Sequence, residues 1–112
     1  MASLAAIRER LRSSRLDQLR KEVGAIVPHH PGSEVWLFGS LARGDWDAYS
    51  DIDLLAVAPS KADAAALADA LQGACIGDDV LALSTDRWQQ LKNGDDPYWR
   101  AIGQEALPLV RP

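Results

Sequence analysis

Two carboxylates separated by a single residue are the side chains of this sequence best suited to chemistry. Asp51 and Asp53 open an apolar run that ends at Ala58, which predicts a strand over these residues. Side chains at positions i and i+2 of a strand leave the same face, with Cα atoms roughly 6.6 Å apart. Two acids at this spacing repel each other unless a cation lies between them, and Mg²⁺ prefers such oxygen ligands. The pair therefore predicts a site for one or two divalent ions, with Ile52 pointing the opposite way into the core.

A turn suited to binding an anion precedes the carboxylates. Gly39 and Ser40 directly follow the apolar run 34–38, which predicts a first strand. A glycine there permits a sharp turn and a close backbone approach to a ligand, and the N–H groups that begin the next helix can bind phosphate. Gly44 is at the right distance to end that helix in the left-handed conformation. Turn and carboxylates together predict a site for a metal-bound nucleoside triphosphate.

These residues resemble a known family when they are taken together. The resemblance is carried by Gly39-Ser40, Gly44 and Ser50-Asp51-Ile52-Asp53-Leu54. They are similar to the G-S-x(n)-[DE]-x-[DE] signature of the DNA polymerase β superfamily of nucleotidyltransferases, and especially to its minimal nucleotidyltransferases. Asp79 to Leu83 resembles the later strand that carries the third acid of the family, and Ile102 to Val110 resembles its closing helix and strand. The resemblance covers roughly residues 20 to 110.

The resemblance implies roles for individual residues. Asp51, Asp53 and Asp79 would be the catalytic acids and would bind Mg²⁺ or Mn²⁺, with Asp79 also taking the proton from the attacking hydroxyl. Gly39 and Ser40 would bind the β and γ phosphates of ATP. Two further nucleotide-binding candidates are less defined. Arg43 either meets phosphate or pairs with a nearby acid and fixes the loop, and Ser50 orders the turn before Asp51.

The implied reaction is transfer of AMP, or another nucleoside monophosphate, from the triphosphate to a hydroxyl group. A chain of 112 residues leaves no room for a separate acceptor-binding domain, so the acceptor site is either shallow or supplied by another protein. The resemblance implies an antitoxin that forms a hetero-oligomer with a helical HEPN ribonuclease toxin and adenylylates it on tyrosine. One alternative is an antitoxin or adaptor that binds nucleotide without turnover. Another is a small-molecule transferase similar to antibiotic nucleotidyltransferases, which is disfavoured because those carry additional helical domains.

The bulk properties predict one cytoplasmic domain over 1–112, with N-terminal helices over 1–27 and a catalytic core over 34–110. The composition is ordinary for a globular protein, with 47% hydrophobic and 25% charged residues. A single cysteine, Cys75, excludes an internal disulfide and is typical of a reducing compartment. No apolar run approaches the roughly 20 residues that span a bilayer, and the N-terminus lacks the apolar core of a signal peptide.

The net charge of −4 is unevenly distributed. Residues 1–22 hold six basic and three acidic side chains, so the remaining 90 residues carry a net charge of −7. An acidic body disfavours strong nucleic-acid binding, which depends on counterion release by Lys and Arg. The basic start is either a partner-binding surface, together with exposed tryptophans, or an ordinary solvated helix face, and the second interpretation is favoured.

Periodicity and turn residues predict an α/β (α+β) fold, with a mixed sheet of about four strands and flanking helices like the polymerase β nucleotidyltransferase core. The apolar spacing changes phase at Ser13-Ser14, which predicts two N-terminal helices with a break between them. Later helices are expected to begin at Ser60, at Ser84 or Thr85, and at Asp96-Pro97, and the strands after Ala58 at Asp79 to Leu83 and Leu107 to Val110. Trp46 and Tyr49 lie between the two motifs, where packing of the loop is favoured over stacking on a base.

Overall fold

Four strands in the described part of the chain form one mixed sheet, which confirms the predicted fold class. Across the sheet, the strands lie in the order third, second, first, fourth along the chain. The computed structural model describes residues 3–46 and 51–110. The strands are β1 Glu34–Phe38, β2 Asp53–Ala58, β3 Asp79–Ser84 and β4 Leu107–Val110. β1 pairs antiparallel with β2 and with β4, whereas β2 pairs parallel with β3. The parallel pair requires a crossover, which helix α3, Lys61–Gly73, supplies.

Both faces of the sheet are buried, and strand alternation assigns each residue to one of them. Leu37 and Leu54 belong to a core cluster with apolar residues of α1 and α3, where α1 is Leu4–Ile26. Leu55 belongs to a second cluster on the opposite face, with residues of α4, Thr85–Lys92, and α5, Pro97–Glu105. Because side chains alternate along a strand, Asp53 lies on the α4/α5 face of β2.

Helix α1 is continuous, and the predicted break at Ser13-Ser14 is wrong. The phase change instead marks a change in what the helix faces. Leu16, Leu19 and Val23, in the second half, are buried in the core. In the first half, Leu4 is 85% exposed, Ile7 42% and Leu11 58%. The two apolar stripes therefore cover different surfaces of one helix, and only the second stripe packs on the sheet.

The predicted helix caps are confirmed at the start of α3, α4 and α5. The Ser60 hydroxyl accepts a bond from the N–H of Asp63, and Ser84 rather than Thr85 caps α4. Asp96 caps α5 by accepting from the N–H of Tyr98, with Pro97 at the first helical position. Each cap satisfies an N–H group that a helix start otherwise leaves unpaired.

The tryptophans do not form the exposed surface that the sequence suggested. Trp88 is 1% exposed, and Trp36, Trp46 and Trp99 are each only partly exposed. Trp36 and Trp88 are in aromatic contact on the α4/α5 face, with ring centroids 5.9 Å apart. Within the described ranges, no helix is both long enough and apolar enough to cross a bilayer.

Candidate active site

The two motif carboxylates differ in how they are held. β2 begins at Asp53, so the predicted strand start at Asp51 is wrong, and Asp51 lies exposed just before the strand. Ile52 between them is buried in the α1/α3-side core, as predicted. Asp53 is therefore fixed by the sheet, whereas Asp51 is positioned through its neighbour.

Asp79 lies directly beside Asp53. It is the first residue of β3, and in the parallel β2–β3 register its Cα pairs with that of Asp53. Neighbouring strands are roughly 4.8 Å apart, and paired residues project from the same face. The third acid predicted from the sequence is thus brought next to the second by backbone pairing alone.

Asp78 has a structural contact that the sequence did not reveal. One of its carboxylate oxygens accepts a hydrogen bond of 2.7 Å from the N–H of Ile52. In return, the carbonyl of Ile52 accepts bonds from the N–H groups of Asp78 and Asp79, at 2.8 and 3.2 Å. Asp78 therefore joins the starts of β2 and β3 and faces the backbone between the two motif acids.

The Gly39-Ser40 turn lies against Asp53. Gly39 has φ +82°, and a Cβ added there would lie 2.5 Å from an Oδ atom of Asp53. A side chain at this position would therefore collide with the carboxylate, and only glycine allows both the backbone conformation and the close approach. Helix α2, Ser40–Arg43, follows, and Gly44 ends it in the left-handed conformation, as predicted.

These groups line one cleft that continues into a second. The main cleft has a volume of about 420 Å³ and is lined by Phe38, Gly39, Ser40, Arg43, Asp51, Asp53, Tyr98, Ala101, Ile102 and Glu105. An adjoining cleft of about 290 Å³ contains Asp79 and shares Phe38, Asp53 and Tyr98 with the first. Ligand sites typically occupy about 300–1,000 Å³. The main cleft is large enough for a nucleotide, and Asp79 lies at its extension.

Helix α5 forms one wall of the main cleft, which sequence reasoning missed. Tyr98, Ala101, Ile102 and Glu105 follow the spacing of one helix face, and all four line the cleft. Tyr98 is 61% exposed, and its ring contacts Trp99 edge-on. The cap at Asp96-Pro97 defines where this helix begins, so the sequence could predict that these four residues share one face. It could not predict that this face lies toward the carboxylates, because that depends on tertiary packing.

Arg43 both lines the cleft and pairs with acids. Its guanidinium lies 3.5 Å from a carboxylate oxygen of Asp45 and 3.5 Å from one of Glu105. The side chain remains 43% exposed. The two roles considered for Arg43 are therefore both compatible with its position.

The remaining sequence candidates lie in or beside the connection between the motifs. Trp46 is partly buried against the α1/α3-side core, so the packing prediction is confirmed for it. Ser50 and Tyr49 lie outside the described residues, and their predicted roles remain predictions.

The acids of the site influence one another electrostatically. Burial raises the pKa of the Asp53 carboxyl, as do the charges of Asp79, Asp51 and Asp78 in decreasing order, while Arg43 opposes the rise. Across residues 3–46 and 51–110, no three His, Cys, Asp or Glu side chains lie close enough together to form a ready-made metal site. The donor set nevertheless fits a hard divalent cation, because carboxylate oxygens that repel one another face a common cleft.

The fold is that of the nucleotidyltransferase domain of the polymerase β type. The chain belongs to the nucleotidyltransferase domain family, whose model matches residues 16–99. It is also similar in fold to a chain in a solved structure described as the crystal structure of the toxin-antitoxin with AMP-PNP, with a TM-score of 0.52 and 19% identity. That similarity covers 83% of this chain and 73% of the other. No curated protein matches the chain.

Proposed function

We propose that this protein is a Mg²⁺-dependent nucleotidyltransferase that transfers AMP from ATP to a hydroxyl group. The observation that carries the proposal is the pairing of Asp53 with Asp79 beside the Gly39-Ser40 turn, where two adjoining clefts share Asp53. Phosphoryl transfer requires carboxylates that hold metal ions beside a turn whose backbone N–H groups can bind phosphate.

Each residue has a role in the proposed reaction. Backbone N–H groups at Gly39 and Ser40 bind the β and γ phosphates. The acceptor oxygen attacks the α-phosphorus while Asp79 takes its proton, the bond from that phosphorus to the bridging oxygen breaks, and pyrophosphate leaves. Asp51, Asp53 and Asp79 would hold Mg²⁺ or Mn²⁺, which when bound neutralises phosphate and carboxylate charge. Arg43, the last residue of α2, lines the same cleft and contacts the phosphates.

We infer that the acceptor is a tyrosine of a helical HEPN-type toxin, for which this protein acts as the antitoxin in the cytoplasm. The fold neighbour described as a toxin-antitoxin with AMP-PNP supports this class of partner. A surface for such a partner is the first half of α1, where Leu4, Ile7 and Leu11 are exposed among arginines. Arginine is enriched at protein interfaces, and the buried core of an interface is more apolar than the remaining surface. The free thiol of Cys75 agrees with a reducing compartment.

The second candidate is an antitoxin that binds nucleotide without turning it over. It is favoured by one observation: Asp79, the proposed base, lines the adjoining cleft rather than the main one. Radiolabel transfer separates the candidates. With α-labelled ATP, Mg²⁺ and the partner expressed from the neighbouring gene, the enzyme labels the partner, whereas the binder forms the complex but leaves the partner unlabelled.

Both candidates require metal-dependent binding of ATP, so this binding should be tested first. ATP should raise the melting temperature with Mg²⁺ or Mn²⁺ present and not with excess EDTA, because the phosphates bring negative charge to a site that already holds several acids. Equal stabilisation in EDTA would contradict the proposed site.

A further inference from the structure

Arg12 of the N-terminal helix α1 forms hydrogen bonds with the helix that follows Gly39. Its Nε donates a hydrogen bond of 2.8 Å to the carbonyl of Leu41, and one terminal nitrogen donates one of 3.0 Å to the carbonyl of Ala42. The other terminal nitrogen lies 3.3 Å from Glu9 in the preceding turn of α1. The Arg12 side chain is only 17% exposed, so these bonds are partly shielded from water.

The two carbonyls belong to α2, the helix that follows Gly39. Helix α2 has four residues, and a single turn is not stable without contacts from elsewhere. Its last carbonyls lack partners within the helix. The N–H of Gly44 satisfies the carbonyl of Ser40, and Arg12 satisfies the next two. A cation at this end also interacts favourably with the helix dipole.

We propose that Arg12 is a positioning residue for the phosphate turn, which we define as Gly39 to Gly44. Arg12 does not line the cleft itself, so it acts on a ligand only through α2. By fixing the carboxyl end of this one-turn helix, it sets where the N–H groups at its other end point. Arg12 lies outside the segment 16–99 that matches the family model, so its bonds connect the phosphate turn to a residue beyond that segment.

The inference rests on the proposed nucleotide-binding function, and its test separates the two. The variants are Arg12→Ala, Arg12→Lys and a matched control, Arg8→Ala, which removes an exposed arginine from the same helix. Binding of Mg-ATP is measured by calorimetry at a temperature where circular dichroism shows each variant fully folded. Arg12→Ala should bind Mg-ATP about tenfold more weakly than wild type, because two charge-assisted bonds to the turn are lost. Arg8→Ala should bind like wild type.

Chemical rescue supplies a readout that simple destabilisation would not move. Guanidinium ion at about 10 mM, far below the molar concentrations that unfold proteins, should restore Mg-ATP affinity to Arg12→Ala and leave Arg8→Ala unchanged. Arg12→Lys keeps the charge but not the forked geometry, so it should lose about threefold in affinity. This variant also carries the test if the alanine variant does not fold.

Three results would overturn the inference. Wild-type affinity in folded Arg12→Ala removes Arg12 from the site and leaves the proposed function intact. Wild-type affinity in Arg12→Lys, where the alanine variant does not fold, has the same meaning. Failure of wild type itself to bind Mg-ATP overturns the proposed function and this inference together.

Discussion

The two halves of the candidate site are built in different ways. The carboxylate half is set by backbone pairing: Asp53 and Asp79 are register partners in adjacent parallel strands. The phosphate turn is set by side chains from distant elements, with Arg12 bonding Leu41 across 29 residues and Arg43 reaching Glu105 across 62. Backbone ladders hold their members rigidly, whereas partly exposed side-chain contacts are individually weak. Asp53 and Asp79 are therefore the fixed half of the site, and the turn is the adjustable half.

This difference matters for regulation. A partner bound to the first half of α1 would contact the same helix that carries Arg12, which hydrogen-bonds to the phosphate turn. By linkage, any effect of the partner on nucleotide affinity must be matched by an equal effect of nucleotide on partner affinity. The strand-borne acids have no comparable connection to α1 among the hydrogen bonds of the described residues.

Replacing Asp79, the proposed base, should have the largest effect of any change in the fixed half of the site. Asp79→Asn should lower AMP transfer to the partner by about 10²–10⁴ because a positioned base is lost. Mg-ATP binding should be largely retained, since Asp79 lines the adjoining cleft rather than the main one. The measurement is transfer of α-label alongside calorimetric binding.

Asp78→Asn is the matched control for that experiment, because an asparagine oxygen can still accept the bond from Ile52. It should keep both transfer and binding. Transfer at the wild-type rate in Asp79→Asn would remove Asp79 from the mechanism.

A methyl group at the junction of the two halves should be nearly as damaging. Gly39→Ala would place a Cβ 2.5 Å from the Asp53 carboxylate in a backbone conformation with φ +82°, so it should lower the free energy of unfolding by about 1–3 kcal/mol and weaken Mg-ATP binding. Gly24→Ala, in α1 with no atom within 4 Å of the new Cβ, should instead stabilise by about 0.5–1 kcal/mol. Chemical denaturation of both variants compares them. Equal effects would show that the turn and the carboxylate are not in close contact.

Neutralising the central carboxylate should stabilise the metal-free protein. Burial and, after it, the neighbouring acids raise the Asp53 pKa above its ordinary value of 3.8. Between those two pKa values the folded state binds more protons than the unfolded state, so stability falls as pH rises through this window. Asp53→Asn lacks the titrating carboxyl and avoids this loss, so its melting temperature in EDTA at pH 7 should exceed that of wild type.

The pH dependence and the metal dependence check the same argument. The difference between Asp53→Asn and wild type should disappear below about pH 3.8, where the carboxyl is protonated in both states. Adding Mg²⁺ with ATP should make wild type the more stable of the two proteins, because only wild type retains the full carboxylate set. If Asp53→Asn is less stable than wild type in EDTA at pH 7, the argument from the raised pKa of Asp53 is contradicted.

What the sequence predicted correctly was local or carried by a motif. Residues 34–38, the serine and aspartate caps and the start of β3 at Asp79 each depend on neighbours within a few positions, and they are confirmed. The predicted break at Ser13-Ser14 was wrong because a phase change signals a change of packing partner as readily as a helix end. The contacts of Arg12 and the cleft-lining face of α5 were missed because they depend on how distant elements pack. Pattern reasoning therefore described the locally determined features of both halves, such as the left-handed Gly44 and the start of β3 at Asp79, and it missed contacts between distant elements, such as Asp78 with Ile52.

The smallest expected effect distinguishes the two roles of Arg43, a cationic residue of the phosphate turn. Its pair with Glu105 is long, at 3.5 Å, and its side chain is 43% exposed, so the pair contributes at most about 1 kcal/mol to stability. If Arg43 binds phosphate, Glu105 competes with the ligand for it, and Glu105→Gln should tighten Mg-ATP binding about two- to fivefold. The gain should shrink as salt rises, because it is electrostatic. Arg43→Gln should weaken binding, and combining it with Glu105→Gln should abolish the gain. If Arg43 only fixes the loop, Glu105→Gln will leave affinity unchanged or reduce it, and calorimetry at two salt concentrations decides between these outcomes.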